Sequence, residues 1–315
     1  MRIRLLAALI PVAAVLAASA CSSLGEAGGP NTIRTAKTAP GAIVAVGAEN
    51  EYADVIGQVG GKYVTTTAIM SNPNTDPHTF EASPQVAQEV SQAQLVVQNG
   101  VGYDTFMNTI ENAQPTANRK VIDVQQLLGL PNSTPNPHLW YKPGTMTAVA
   151  NAVAQDLSAL KPADAGYFRA NAQAFIKDLT GWETAIATFK STYPGTPVAT
   201  TEPVADYMLE AVGADNMTPW ALQADIMNGV DPSPQDVATQ RDLFTEHKVK
   251  VFLYNQQVTD SLTESFIQLA QQNGIPVVGV YETMPTPGYD YQTWMVAEVN
   301  ALTKAVTDKV STEHL

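Results

Sequence analysis

Four side chains in this sequence have the chemistry to share a cation: His78, His138, Glu202 and Glu282. Two imidazole nitrogens and two carboxylates form a coherent donor set for a divalent transition metal. Imidazole suits zinc, iron and related ions, and carboxylate shifts preference toward harder ions such as manganese. Each residue alone has a plainer reading. A carboxylate at a loop is usually solvated, and one X-Pro-His is usually an ordinary turn. The weight comes from repetition, because Asp76-Pro77-His78 and Asn136-Pro137-His138 both set a histidine behind a proline. Proline stiffens the approach and holds its predecessor extended, so a ligand placed there loses less entropy on binding. The chain has only four histidines. Of the other two, His247 falls at the end of an expected helix, where a cation favours the dipole, and His314 lies in the C-terminal tail.

These four residues need elements to position them, and the hydrophobic pattern supplies strands and helices in alternation. Apolar runs predict strands at Ala42–Val46, Val64–Ile69, Leu95–Gln98 and Lys120–Asp123, with helices at Glu49–Gln58, Gln85–Gln92 and Thr105–Ala113. Helical spacing then covers Pro143–Leu160, and a second helix, with Pro162 at its first turn, runs to about Thr192 as a long strut, weakened at Gly166 and Gly181. The alternation restarts with strands Thr196–Thr200, Val249–Tyr254 and Pro276–Tyr281 and helices Val204–Val212, Ser233–His247, Asp260–Asn273 and Tyr291–Val306. This order predicts an α/β fold of two lobes, each with a central mostly parallel sheet flanked by helices, joined by one long rigid helix. The expected boundaries are an N-terminal lobe over residues 42–161, a linking helix over 162–192 and a C-terminal lobe over 193–315. In open parallel sheets, ligands bind outside the carboxyl ends of the strands. His78, Glu202 and Glu282 each follow a predicted strand, and two candidates come from each half of the chain. If the halves face each other, all four meet in the cleft.

The N-terminus fixes the compartment. Arg2 and Arg4 precede an apolar run from Leu5 to Ala18, too short and alanine-rich for a membrane span, so residues 1–20 read as a secretory signal. Ala18-Ser19-Ala20 leads into Cys21, an arrangement that resembles the bacterial lipobox, with Ala18 where leucine is usual. The resemblance implies that Cys21 is acylated and anchors the chain to the extracytoplasmic face of the cell membrane. Residues 21–41, rich in Gly, Ser, Pro and Thr, read as a flexible tether. Cys21 is the only cysteine, which rules out an internal disulfide. A hydrophobic content of 45% with 15% charged residues fits a globular chain rather than a disordered one. The net charge of −13 disfavours nucleic acid as a partner and attracts cations, although solubility is the commoner cause of such a balance.

Four segments carry a family resemblance. NPNTDPHTFEASPQVAQEVSQAQLVVQNGVGYDTFM and NPHLWYKPGTMTAVANAVAQDLSALKPADAGYFRANAQAF look like the first two ligand segments of the metal-receptor class of ABC solute-binding proteins, the manganese, zinc and iron type. TTEPVADYMLEAVG and PVVGVYETMP are similar to the third and fourth. The similarity runs from about Ala42 to the C-terminus. It implies two lobes on a rigid helix, limited closure, one ion in the cleft as transported ligand, and an ABC permease as partner, with the receptor itself a monomer. His78, His138 and Glu202 take the first three ligand positions. Glu202 is the residue common in manganese receptors where zinc receptors often carry histidine, and the His-rich loop frequent in zinc receptors is absent before His138. Glu282 takes the fourth position, usually Asp. Asp290 competes for it, with helix capping as its other reading.

Other features read more plainly. Met208 is expected in the core, and Trp140 and Tyr141 to wall the cleft or the core. Tyr254-Asn255-Gln256 either hydrogen-bonds a ligand from behind or forms a polar turn. The expectation is a receptor for manganese or zinc, not an enzyme. A metal-dependent hydrolase is the alternative, and no HExxH motif supports it. A receptor for chelated metal such as a siderophore or haem is disfavoured, since a chain with only 17 Lys and Arg poorly suits an anionic chelate. An added adhesin role, a label some relatives carry, stays open.

Overall fold

The computed structural model describes residues 39–74 and 76–315, together with a strand at Asn31–Ile33 (β1). The expected leader, Cys21 and most of the expected tether lie outside the described residues. Chain order in the first half is β2 (Ile43–Glu49), α1 (Asn50–Gly60), β3 (Val64–Met70), α2 (Pro84–Gln92), β4 (Leu95–Gln98), α3 (Thr105–Ala113), β5 (Lys120–Asp123), α4 (Val124–Leu127) and α5 (Thr145–Leu160). The second half runs α6 (Ala165–Asp178), α7 (Thr180–Thr192), β6 (Pro197–Thr200), α8 (Asp206–Val212), β7 (Asp215–Asn216), α9 (Trp220–Met227), α10 (Pro234–Thr245), β8 (Val251–Asn255), α11 (Ser261–Gln272), β9 (Val277–Val280) and α12 (Tyr291–Asp308).

The strands form two sheets, of order β1-β3-β2-β4-β5 and β7-β6-β8-β9. All neighbours pair in parallel except β1, which runs antiparallel to β3 with Asn31 opposite Ala68. That edge strand falls inside the segment read from sequence as tether. The alternation within strands explains the layering. In β2, Ile43 and Ala45 face a core built with α1 and α5, while Val46 and Ala48 face α2 and α3. In the second sheet Val198, Leu253 and Val278 join the first of these cores, and Ala199, Phe252 and Val277 pack on α9, α10 and α11. Period-two alternation with both faces apolar is what a sheet covered on both sides requires. Gly47 permits the tight join of β2 to α1, since a Cβ there would lie 2.3 Å from the Ala53 nitrogen.

The long strut is divided. A 3-10 turn at Pro162–Asp164 opens it, and Leu179 interrupts the helix between α6 and α7 while keeping near-helical angles, φ −67° and ψ −16°. Amide-to-carbonyl bonds still cross the break, from Leu179 to Phe175 and from Glu183 to Leu179, both lengthened only to 3.1–3.3 Å. The axis therefore passes on without a free hinge. One apolar core runs through both lobes by way of α5, α6, α7 and α12, with Trp140, Tyr141, Tyr291 and Trp294 fully buried in it.

Candidate metal centre

The parallel strands deliver the site. Their carboxyl ends lead into loops that carry His78 after β3, Tyr103 after β4, Glu202 after β6, Asn255 at the end of β8 and Glu282 after β9. His138 arrives from between α4 and α5, heading the 3-10 turn Leu139–Tyr141.

Local chemistry fixes each donor. Asp76 accepts the His78 backbone N–H at 2.8 Å, and Pro77 opens a short 3-10 turn, so the loop is stiff where His78 leaves it. For His138 the tautomer follows from its neighbour. The Asn136 amide nitrogen donates to the Pro203 carbonyl at 2.7 Å, which turns its oxygen toward His138. That oxygen accepts from His138 N–H at 3.0 Å and lies 2.8 Å from Nδ1. Nδ1 therefore carries the proton and Nε2 presents a bare lone pair, the arrangement that suits a metal ligand. Asn99 supports the same segment by donating to the Pro137 carbonyl at 2.8 Å.

His78, His138 and Glu282 converge. Glu282 Oε2 lies 3.2 Å from His78 Nε2 and 3.3 Å from His138 Nε2, and one donor atom from each of the three falls within 4.8 Å of the others. His138 and Glu282 have fully buried side chains, whereas the His78 side chain is 22% exposed. Glu202 stands outside this triad but is joined to it. The Asn255 amide donates to Glu202 Oε1 at 3.1 Å and to Glu282 Oε1 at 2.6 Å, and Glu202 Oε2 is buried with no partner. Asp290 lies elsewhere: it caps α12, accepting the Thr293 N–H at 2.8 Å. His247 and His314 are exposed and distant in the fold.

Two contacts escaped the sequence reading. Tyr103 donates its hydroxyl to Glu282 Oε2 at 2.8 Å. It is aimed by a loop in which Gly100, Val101 and Gly102 all take positive φ, and Gln125 holds Val101 there by accepting its N–H at 2.7 Å. A β-branched residue in that region is a backbone strain, here spent beside the site. Gln257 accepts the Glu282 N–H at 2.7 Å and the Thr283 N–H at 2.9 Å, fixing the main chain that carries Glu282. The signal for Tyr103 was its place just past a strand end, directly after Gly102. For Gln257 the sequence carries none.

The electrostatics fit a cation. Burial raises the Glu282 carboxyl, but the adjoining His138 and His78 rings outweigh it and hold the group well below the usual carboxylate range. Burial lowers His78, yet the bond and charge of Glu282 raise it on balance. His138 is lowered, because burial prevails over Glu282 there. Glu202 is pushed well up by burial and then by Glu282. Glu49 and Glu51, fully buried at the start of α1, have no hydrogen-bond partner on either oxygen and are pushed up by burial above all. Among the described residues no lysine or arginine pairs with any of these acids.

Two α/β lobes share a helical layer, and imidazole and carboxylate converge where strand ends of both lobes meet. The chain belongs to the family described as the periplasmic zinc-uptake complex component A, whose sequence profile matches residues 46–305. It is similar to the manganese-binding lipoprotein MntA of Bacillus subtilis (strain 168), 26% identical over 157 residues, 48% of this chain and 51% of MntA. The match thus spans about half of that relative. It is also similar to the manganese ABC transporter substrate-binding lipoprotein PsaA of Streptococcus anginosus, 22% identical over 239 residues, 71% of this chain and 75% of PsaA. Among solved structures, the periplasmic zinc-binding protein TroA from Treponema pallidum has the same fold, with a TM-score of 0.71 at 17% identity over 86% of this chain and all of TroA.

Proposed function

We propose that this chain is an extracytoplasmic receptor that captures a divalent transition-metal ion, manganese or zinc, and delivers it to the permease of an ABC importer. The observation that carries the reading is the bare Nε2 of His138, set by Asn136 to face Glu282 Oε2 at 3.3 Å with His78 Nε2 alongside. Donor atoms from these three side chains lie close enough together to share one cation. His78, His138 and Glu282 are the ligands in this reading, and Glu202 is the fourth. Family membership and relatives named for manganese binding support manganese or zinc as cargo.

The reading is of a binding protein, without turnover. Glu282 is tied on both oxygens and is a poor candidate for a free general base, so hydrolysis is disfavoured. Residues 1–20 act as export signal, Cys21 carries the lipid, and the stretch between Cys21 and β1 tethers the receptor to the membrane. One chain, working as a monomer, supplies the whole donor set. The two lobes are residues 42–161 and 193–315, joined through 162–192.

A ligand that binds only the folded state raises its stability, by about 2.7 kcal/mol at a hundredfold excess over Kd. Zinc and manganese are expected to raise the unfolding temperature of the unaltered protein. In His78→Ala and His138→Ala that rise disappears while the metal-free protein still unfolds cooperatively. Equal metal stabilisation of the variants and the parent would sink the assignment.

A further inference from the structure

The turn after β8 holds both rear carboxylates with one side chain. Asn255 is buried, and its Nδ2 spends both hydrogens, on Glu282 Oε1 at 2.6 Å and on Glu202 Oε1 at 3.1 Å. Its orientation is fixed, because Oδ1 accepts the Gln257 N–H at 2.9 Å. Its backbone N–H donates to Thr201 Oγ1 at 3.0 Å, next to Glu202 in the chain. With Gln257 gripping the main chain at Glu282 and Thr283, the same turn sets where Glu282 starts and which way its carboxylate faces. What the amide leaves over is one oxygen on each acid. Glu282 Oε2 faces the two imidazoles and also accepts the Tyr103 hydroxyl at 2.8 Å, and Glu202 Oε2 is buried and unpartnered.

We propose that Asn255 is a specificity-determining residue that restricts Glu202 and Glu282 to one metal bond each. The inference rests on reading these two acids and the two histidines as the ligands of a captured ion. Chelation through both oxygens would turn either carboxylate so that its Oε1, now directed at the amide, faces the ion, and the Asn255 bond is lost in that turn. That leaves a buried N–H without an acceptor, at a cost of about 1–3 kcal/mol. The cleft then offers two nitrogens and two single oxygens. Zinc is satisfied by four such donors in a tetrahedron. Manganese prefers six ligands, mainly oxygen, and obtains them from carboxylates that bind through both atoms or from added water. The tether therefore favours an ion content with four donors, even though Glu202 stands where manganese-type receptors of the resembling family carry glutamate.

Purified protein loaded separately with zinc, manganese and cobalt(II) tests this. X-ray absorption of the zinc form is expected to give four near-equal N/O neighbours, and cobalt(II) to show the intense visible bands of a four-coordinate centre. In Asn255→Ala the ratio of zinc to manganese affinity, measured by competition, is expected to fall about tenfold, the size typical for loss of a group that orients a ligand. The cobalt bands should weaken as coordination rises. Equal losses for both ions with unchanged cobalt bands would reduce Asn255 to a structural part. Zinc held by a carboxylate through both oxygens in the unaltered protein would overturn the proposal whatever the variant does. Failure of the unaltered protein to bind any of the three ions would overturn the receptor reading along with it.

Discussion

Glu298 illustrates how much burial governs single residues here. Its carboxyl lies fully buried, accepts from Trp294 Nε1 at 2.9 Å and from the Tyr141 hydroxyl at 3.1 Å, and keeps its other oxygen unpartnered. Burial pushes its pKa up to about 8, against the lowering effect of those two bonds. A carboxyl that titrates at about 8 when folded and near 4.5 when unfolded binds a proton in the native state across that interval. Its contribution to stability is then greatest below the unfolded value and declines as pH rises toward 8. Glu298→Gln, which mimics the protonated form, is expected to gain on the parent by up to a few kcal/mol between pH 5 and pH 8, read from chemical denaturation at both. A constant difference at the two pH values would contradict the raised pKa. The same scale shows what sequence could and could not reveal about the site. His78 and His138 were legible because proline sat before each. Glu282 was legible as a carboxylate at a strand end. Asn255 was legible as a polar residue after a strand that could hydrogen-bond a ligand, and it does bond Glu282 and Glu202. Tyr103 and Gln257 bind Glu282 from about 180 and 25 residues away in the chain, and residue type alone encodes no such meeting.

At the scale of elements, caps decide boundaries. Asp260 and Asp290 each form a reciprocal capping box with the threonine three residues on, and Ser83 and Ser233 cap α2 and α10. Asp290→Ala is expected to cost about 1 kcal/mol of stability and to leave zinc affinity unchanged. Loss of metal binding in that variant would return Asp290 to the ligand set in place of Glu282. The alternating pattern was readable from its apolar spacing: β4, α3 and β5 fall at the positions their sequence predicts. The stretch from 214 to 232 was not. It holds β7, two residues long, and α9, eight residues whose exposed Trp220 blurs any apolar face. Such short pieces exist because β6 and α10 lie ready to receive them, and tertiary packing of that sort leaves no periodic trace. The interruption at Leu179 falls two residues before Gly181, a glycine that weakens the helical pattern there, although leucine itself is a good helix former.

At the scale of the whole molecule, the lobes are fastened by more than one strut. Asn50 donates to the Met284 carbonyl at 2.8 Å and accepts the Met284 N–H at 2.9 Å, Gln58 and Gln292 exchange amide bonds at 2.9 Å, and Asp54 accepts the Tyr291 N–H at 3.0 Å. With the apolar layer beneath them, these ties oppose a wide hinge. Small-angle scattering curves with and without zinc are expected to superpose, and a fall in the radius of gyration on loading would contradict this. A body that does not clamp shut must regulate traffic by another route. Of the three converging donors, only the His78 side chain meets solvent, and Asp76 and Pro77 brace its loop. An ion arriving or departing must pass this one wet imidazole, so the doorway and the first handhold are the same residue. How long cargo stays aboard would then be decided by the excursions of a single short loop, and a docked permease could hasten unloading by tugging that loop alone.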